Sequence, residues 1–121
     1  MPGGVQVTRR DLPLLVVLDL RGAVTGTADE LLTEAYRSAS EEGSGDVLLN
    51  FSRVDHLDSA GISVLIGILT EARQHGRRVL VTGLSAHYRK IFELMGLPQF
   101  APVFDSEEAA QQWARQHPAG G

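Results

Sequence analysis

Short unbroken apolar runs alternate along this chain with longer stretches in which apolar residues recur at helical spacing. Three runs rich in Val and Leu predict strands that are covered on both faces, at 14–20, 47–51 and 78–82. Alternating Val5 and Val7 predict an earlier strand, and residues 100–104 predict a short final one. Strands that alternate with helices in this way are typical of an α/β fold with a mostly parallel sheet.

Four stretches predict helices, and each begins at a residue suited to an N-cap. The predicted starts are Thr27, Asp58 or Ser59, Ser85, and the segment Asp105-Ser-Glu-Glu108. Thr27 with Glu30, and Asp105 with Glu108, also have the spacing of a capping box. We therefore expect a mixed sheet of four or five strands with about four helices packed against it.

The chain has 121 residues, which is enough for one domain with a core and too few for two. We expect that domain to span residues 5–116. The first strand could pair antiparallel with the second through a tight turn at 11–13, and the later strands would then be parallel.

The segment 51–72 combines a strand end, a polar loop and an apolar helix. A buried strand is expected to end at Phe51, and a helix to begin at about Asp58 or Ser59. Either side chain can cap that helix by accepting free backbone N–H groups. The Ser59 hydroxyl would then lie at the positive end of a helix dipole, where a phosphate is tolerated. The Asp-Ser pair fits a phosphorylation switch, and it also fits a simple helix cap.

This central helix has more apolar surface than one buried face needs. Its expected core stripe, at about 100° per residue, comprises Ile62, Leu65, Ile66 and Leu69. Val64 and Ile68 point away from that stripe, and Gly67 between them adds no bulk. A helix with this pattern is either buried on several sides or keeps a face for a partner.

Composition and charge exclude several classes of protein. The net charge is −4 and no long basic run occurs, which disfavours nucleic-acid binding. Because the chain has no cysteine, disulfides, thiol catalysis and thiolate metal sites are excluded. The sequence has no targeting segment and no apolar run long enough to span a bilayer, so a cytoplasmic protein without membrane attachment is expected.

The residue types that carry catalysis do not form a recognisable pattern. The four histidines lack the spacing of metal ligands: His56, His75, His87 and His117. The glycine-containing turns lack the remaining features of phosphate-binding or dinucleotide-binding loops, and no nucleophile elbow occurs. We expect no metal, no cofactor and no enzymatic activity.

The chain resembles the STAS domain family (sulfate transporter and anti-sigma factor antagonist), of the free-standing anti-sigma factor antagonist type. The resemblance rests on the segment Val47-Leu-Leu-Asn-Phe-Ser-Arg-Val-Asp-His-Leu-Asp-Ser-Ala-Gly-Ile62. It continues through 76–83 and 90–97, and it covers nearly the whole chain from Leu14 in the family's order of elements. The Asp-Ser-x-Gly motif before an apolar helix is fairly specific, and the later Phe-x-x-x-Gly-Leu motif strengthens it.

The resemblance implies a regulatory binding module that is not an enzyme. In the family, the serine that matches Ser59 is phosphorylated by a kinase that is itself the anti-sigma factor, and a PP2C-type phosphatase reverses this. The unphosphorylated form binds the anti-sigma factor and so frees the sigma factor. Asp58 would help to orient the kinase contact, and Gly61 would let another backbone approach closely. The expected partner-binding residues are Thr25, Asp58, Ser59, Ala60, Gly61, Val64 and Ile68; a homodimer is left open.

One segment departs from the family pattern. Many members carry Gly-Glu-Leu-Asp after the early strand, with the aspartate near the phosphoacceptor, and the matching segment here is Gly22-Ala-Val-Thr25. Thr25 could supply a second hydroxyl near Ser59 or be only a loop residue. The departure leaves open a domain that is not phosphorylated and serves as a scaffold or binding subunit of a larger signalling or transport complex. A nucleotide-binding domain, as some STAS-like domains are reported to be, is disfavoured because no phosphate-binding loop is present.

Overall fold

A computed structural model describes residues 4–42 and 45–118, and five strands in these residues form one sheet in chain order. The strands are β1 (Val5–Asp11), β2 (Leu15–Val24), β3 (Asp46–Leu57), β4 (Val79–Thr82) and β5 (Val103–Phe104). β1 pairs antiparallel with β2, as expected for strands joined by a tight turn, and every later neighbour is parallel. The predicted mixed, mostly parallel sheet is confirmed.

Four α-helices connect or follow the strands: α1 (Asp29–Glu42), α2 (Ser59–Gln74), α3 (Ala86–Leu94) and α4 (Glu107–Gln116). The predicted cap at Ser85 is confirmed, since its side chain accepts a hydrogen bond from the Tyr88 amide at 3.2 Å. The predicted cap at Thr27 is wrong, because the chain forms a 3₁₀ turn at Gly26–Ala28 before α1 begins. The cap of α4 is Ser106 rather than Asp105.

The helices cover the two faces of the sheet unequally. α1, α2 and α3 pack on one face and share the main hydrophobic core with alternate residues of β2 and β3. α4 packs on the other face over a smaller cluster formed by Leu15, Val17, Leu48, Leu80, Ala110 and Ala114. The rest of that second face, on β1, β2 and β3, carries polar side chains.

β3 is longer than its apolar pattern predicts. The sequence indicates a strand that ends at Phe51 and a polar loop after it, but the strand continues to Leu57. It continues because β2 also extends, past Gly22 to Val24, and offers backbone partners along the whole length. The polar side chains of this second half lie mostly on the surface. β3 therefore leads directly into the N-terminus of α2.

On the second face, the carboxylate of Asp19 on β2 accepts hydrogen bonds from side chains of β1 and β3. Arg10 Nη2 donates to Asp19 Oδ1 at 3.0 Å, and Asn50 Nδ2 donates to the same oxygen at 2.8 Å. Arg10 also donates to Glu107 of α4 at 2.6 Å. The hydrogen bonds from Arg10 and then Asn50 hold the pKa of Asp19 below its ordinary value, although burial opposes them.

Asp19→Asn is expected to lower the free energy of unfolding by about 1 kcal/mol at neutral pH. Because the folded-state pKa of Asp19 is depressed, its contribution is present above the unfolded-state pKa of about 3.9 and is lost as the pH falls through the folded value. Urea denaturation of both proteins at neutral and acidic pH measures this. A difference in stability that stays constant down to the acid transition would contradict it.

Candidate functional site

Ser59 is the first residue of α2 and its side chain is exposed. The preceding residue, Asp58, is the N-cap: it has extended backbone angles, and its Oδ1 accepts a hydrogen bond from the Gly61 amide at 2.8 Å. The Asp58 carbonyl accepts the first helical hydrogen bond, from Ile62, at 2.9 Å. The predicted helix start is confirmed, and the cap is Asp58, so the Ser59 hydroxyl is not the capping group.

The ends of β2 and β3 bring Thr25 to the same edge of the sheet as Ser59. Val24 is the register partner of Leu57, and the Val24 carbonyl accepts a hydrogen bond from the Asp58 amide at 3.4 Å. Thr25 follows at once, and its hydroxyl lies 3.0 Å from that of Thr27. Thr25, Asp58 and Ser59 thus form one continuous edge, which adjoins the exposed Ala60.

Gly61 is buried against this chain's own backbone. A Cβ at position 61 would lie 2.0 Å from the Val24 carbonyl oxygen and 3.2 Å from a methyl group of Leu57. The sequence predicts that the missing side chain at position 61 lets another backbone segment pack closely, and a backbone segment does pack there. It belongs to β2, however, so Gly61 offers no such approach to a partner.

The prediction that Val64 and Ile68 point away from the core is wrong. Their exposed fractions are only 8% and 3%, and both belong to the main hydrophobic cluster. The physical reason is that α2 is covered on two sides, by the sheet and by α1 with the 3₁₀ turn before it. Ile66, which the sequence assigns to the core stripe, is instead 36% exposed.

A groove of about 530 Å³ runs between α1 and α2, and its lining on α2 begins at Ala60, the residue after Ser59. Small residues of α2, Ala60, Ser63 and Gly67, form one wall, and Thr33 lies on the other. An ion pair crosses it further along, with Arg37 Nη2 2.8 Å from Glu71 Oε1. Arg37 holds the pKa of Glu71 below its ordinary value through these hydrogen bonds. The sequence did not point to the α1 residues of the groove, because their role depends on how two helices pack.

The chemical groups at this edge and groove are hydroxyls, a helix N-terminus and one ion pair. Within residues 4–42 and 45–118, no group of His, Asp or Glu side chains could hold a metal ion. Across the same described ranges, every helix is too short or too polar to cross a membrane. What the site does offer is an exposed hydroxyl at the positive end of a 16-residue helix, beside a shallow groove.

Asp58→Ala is expected to lower the free energy of unfolding by about 1 kcal/mol, because the Gly61 amide loses its acceptor at the helix end. Asp58→Asn is the matched control, since its side-chain oxygen can still accept that hydrogen bond. Urea denaturation of the three proteins measures the difference. If Asp58→Asn loses as much stability as Asp58→Ala, the charge rather than the capping bond is responsible.

Comparison with known proteins gives relatives along most of the chain. The sequence model of the STAS domain family matches residues 5–110. BtrV of Bordetella bronchiseptica, provisionally named an anti-sigma factor antagonist, is 27% identical over 106 residues, which cover 88% of this chain and 91% of BtrV. The anti-sigma-B factor antagonist of Staphylococcus aureus is 26% identical over 77 residues, covering 64% of this chain and 71% of that protein.

The fold has a counterpart among solved structures. The unphosphorylated form of SpoIIAA, an anti-sigma factor antagonist from Bacillus, aligns with a TM-score of 0.70. The alignment covers 93% of this chain and 97% of SpoIIAA at 24% identity, so it supports the fold alone. The family match includes the edge formed by Thr25, Asp58 and Ser59. The resemblance predicted from the sequence is confirmed, and the chain belongs to the STAS domain family.

Proposed function

We propose that this chain is an anti-sigma factor antagonist whose binding to its anti-sigma factor is switched off by phosphorylation of Ser59. The observation that carries the proposal is the position of Ser59, exposed at the first residue of α2 and directly after the Asp58 cap. The names of BtrV and of the Staphylococcus aureus relative support the choice of partner.

The geometry suits a switch that changes surface charge and leaves the fold intact. A phosphate on Ser59 would lie at the helix N-terminus, where its negative charge interacts favourably with the helix dipole. It would also add about −1.5 to −2 charges at the mouth of the groove between α1 and α2. A partner seated on that groove would have to bury this charge or move away, and binding is weakened in either case.

Thr25 is compatible with such a phosphate. A carboxylate at this position would add a like charge at the edge that carries Ser59, whereas a threonine adds none. The Thr25 hydroxyl lies within hydrogen-bonding distance of Thr27, so it helps to order the 3₁₀ turn. We expect Ser59 to be phosphorylated by an anti-sigma factor that is itself a serine kinase. We expect a PP2C-type phosphatase to remove the phosphate, and both enzymes to act in the cytoplasm.

Intact-mass spectrometry of the protein isolated from its own cells tests the proposal. We expect part of the population to carry one phosphoryl group, and fragmentation to locate it on Ser59. Samples taken during growth, starvation and stress should differ in the phosphorylated fraction. Absence of phosphorylation under all of these conditions would overturn the switch and favour a binding or scaffold subunit that is not phosphorylated.

A further inference from the structure

The face of the sheet opposite α1 and α2 contains a polar cavity. α4 covers only the part of this face built on the small apolar cluster. Beyond it, β1, β2 and β3 form a shallow cavity of about 440 Å³. Its lining includes Gln6, Thr8, Arg21, Asn50, Ser52 and Arg53. A cavity of this size falls within the range of small-molecule sites.

A bulge in β3 shapes this cavity. Asp19 of β2 pairs with Asn50 of β3, and the next pair on this face is Arg21 with Arg53. β3 therefore advances by three residues where β2 advances by two. The extra residue breaks the alternation of the strand, so that Ser52 and Arg53 are both exposed and both line the cavity. The bulge therefore places Arg53 beside Arg21 on the same face.

Arg21 and Arg53 are register partners on the neighbouring parallel strands β2 and β3, so two positively charged side chains line the same cavity. Several other arginines have carboxylate partners: Arg9, Arg10, Arg37, Arg78 and Arg89. Arg21 and Arg53 form no ion pair with any residue in the part of the chain that the structure describes. Asp19 also lines the cavity; Arg10 and Asn50 donate to its carboxylate, and the nearby positive charge of Arg53 also helps to lower its pKa.

We propose that this cavity binds the phosphate group of a small phosphorylated ligand, with Arg21 and Arg53 as its charged ligands. Guanidinium groups match phosphate geometry because each can donate two parallel hydrogen bonds. The hydroxyls of Thr8 and Ser52 line the same cavity and supply further donors. An anion in this cavity would be attracted by both guanidinium charges. This site lies across the sheet from α2, so it does not depend on Ser59.

Thermal unfolding with inorganic phosphate as the probe tests the site. Melting temperatures are compared in sodium phosphate and in sodium chloride of equal ionic strength at neutral pH. We expect phosphate to raise the melting temperature of the wild type, by about 5 °C once free phosphate is roughly tenfold above its Kd. The response should shrink in Arg21→Gln and in Arg53→Gln and vanish in the double variant. Arg115→Gln, an exposed arginine on α4, is the control and should respond as the wild type does.

One further result distinguishes this site from the Ser59 switch, and another distinguishes it from a general salt effect. Ser59→Asp should keep the full phosphate response, so this site can fail without any failure of the proposed switch. An equal rise in the wild type and the double variant would overturn the proposal, since excluded salts stabilise all folded variants alike.

Discussion

Gly61→Ala is expected to lower the free energy of unfolding by about 3 kcal/mol, near the upper end of the usual cost of overpacking. The added Cβ would lie 2.0 Å from the Val24 carbonyl oxygen and 2.7 Å from its carbon, and a backbone carbonyl cannot move aside as a side chain can. The same oxygen accepts the Asp58 amide, so displacing it also weakens the junction between β2 and α2. Urea denaturation followed by circular dichroism measures the loss.

Gly67→Ala is the matched control on the same helix. Nothing lies within 4 Å of a Cβ at position 67, and this glycine is exposed in the helix interior. The substitution should therefore stabilise the protein by about 0.5–1 kcal/mol. Equal stability of Gly61→Ala and the wild type would show that the end of β2 can shift to make room, and would contradict the tight junction.

Ser59→Asp is expected to weaken binding to the anti-sigma partner by at least about tenfold, or about 1.4 kcal/mol. The substitution places one negative charge where phosphorylation would place nearly two, so phosphorylated protein should bind more weakly still. Its melting temperature should not fall, because a carboxylate in the first turn of α2 interacts favourably with the helix dipole. Isothermal titration calorimetry with the purified anti-sigma factor measures the affinity.

Two control variants test whether the loss of binding depends on where the negative charge is placed. Ser106→Asp adds the same charge at the N-cap of α4, which packs on the opposite face of the sheet, and should bind as the wild type does. Ser59→Ala should bind at wild-type strength and resist phosphorylation. If Ser59→Asp binds as tightly as Ser59→Ala, electrostatic repulsion at this edge does not control the interaction.

The sequence identifies those parts of the fold in which local patterns and tertiary structure agree. The apolar runs correctly locate the buried halves of β2 and β3, because both faces of these strands are covered. Asp58 and Ser85 are recognisable as caps since capping is a local interaction. Gly76 marks the end of α2 for the same reason: its φ is +66°, an angle that glycine adopts without strain.

The errors concern features that depend on distant parts of the chain. Residues 52–57 have a polar pattern and form a strand only because β2 extends alongside them. Val64 and Ile68 are buried because α1 covers α2, and the spacing within α2 alone cannot show this. The start of α2 at Ser59 was therefore predictable from its neighbours in sequence, whereas the surface around it was not.

The unbroken passage of β3 into α2 has a consequence for substrate recognition. Many protein kinases read a short extended peptide, which they draw from a flexible loop. Ser59 has no such loop before it: the strand keeps its pairing to Leu57, and the next amide is bonded to Val24. An enzyme that modifies this serine must therefore recognise a folded surface formed by β2, β3 and α2. Its specificity then depends on residues that the fold brings together, rather than on a linear sequence motif.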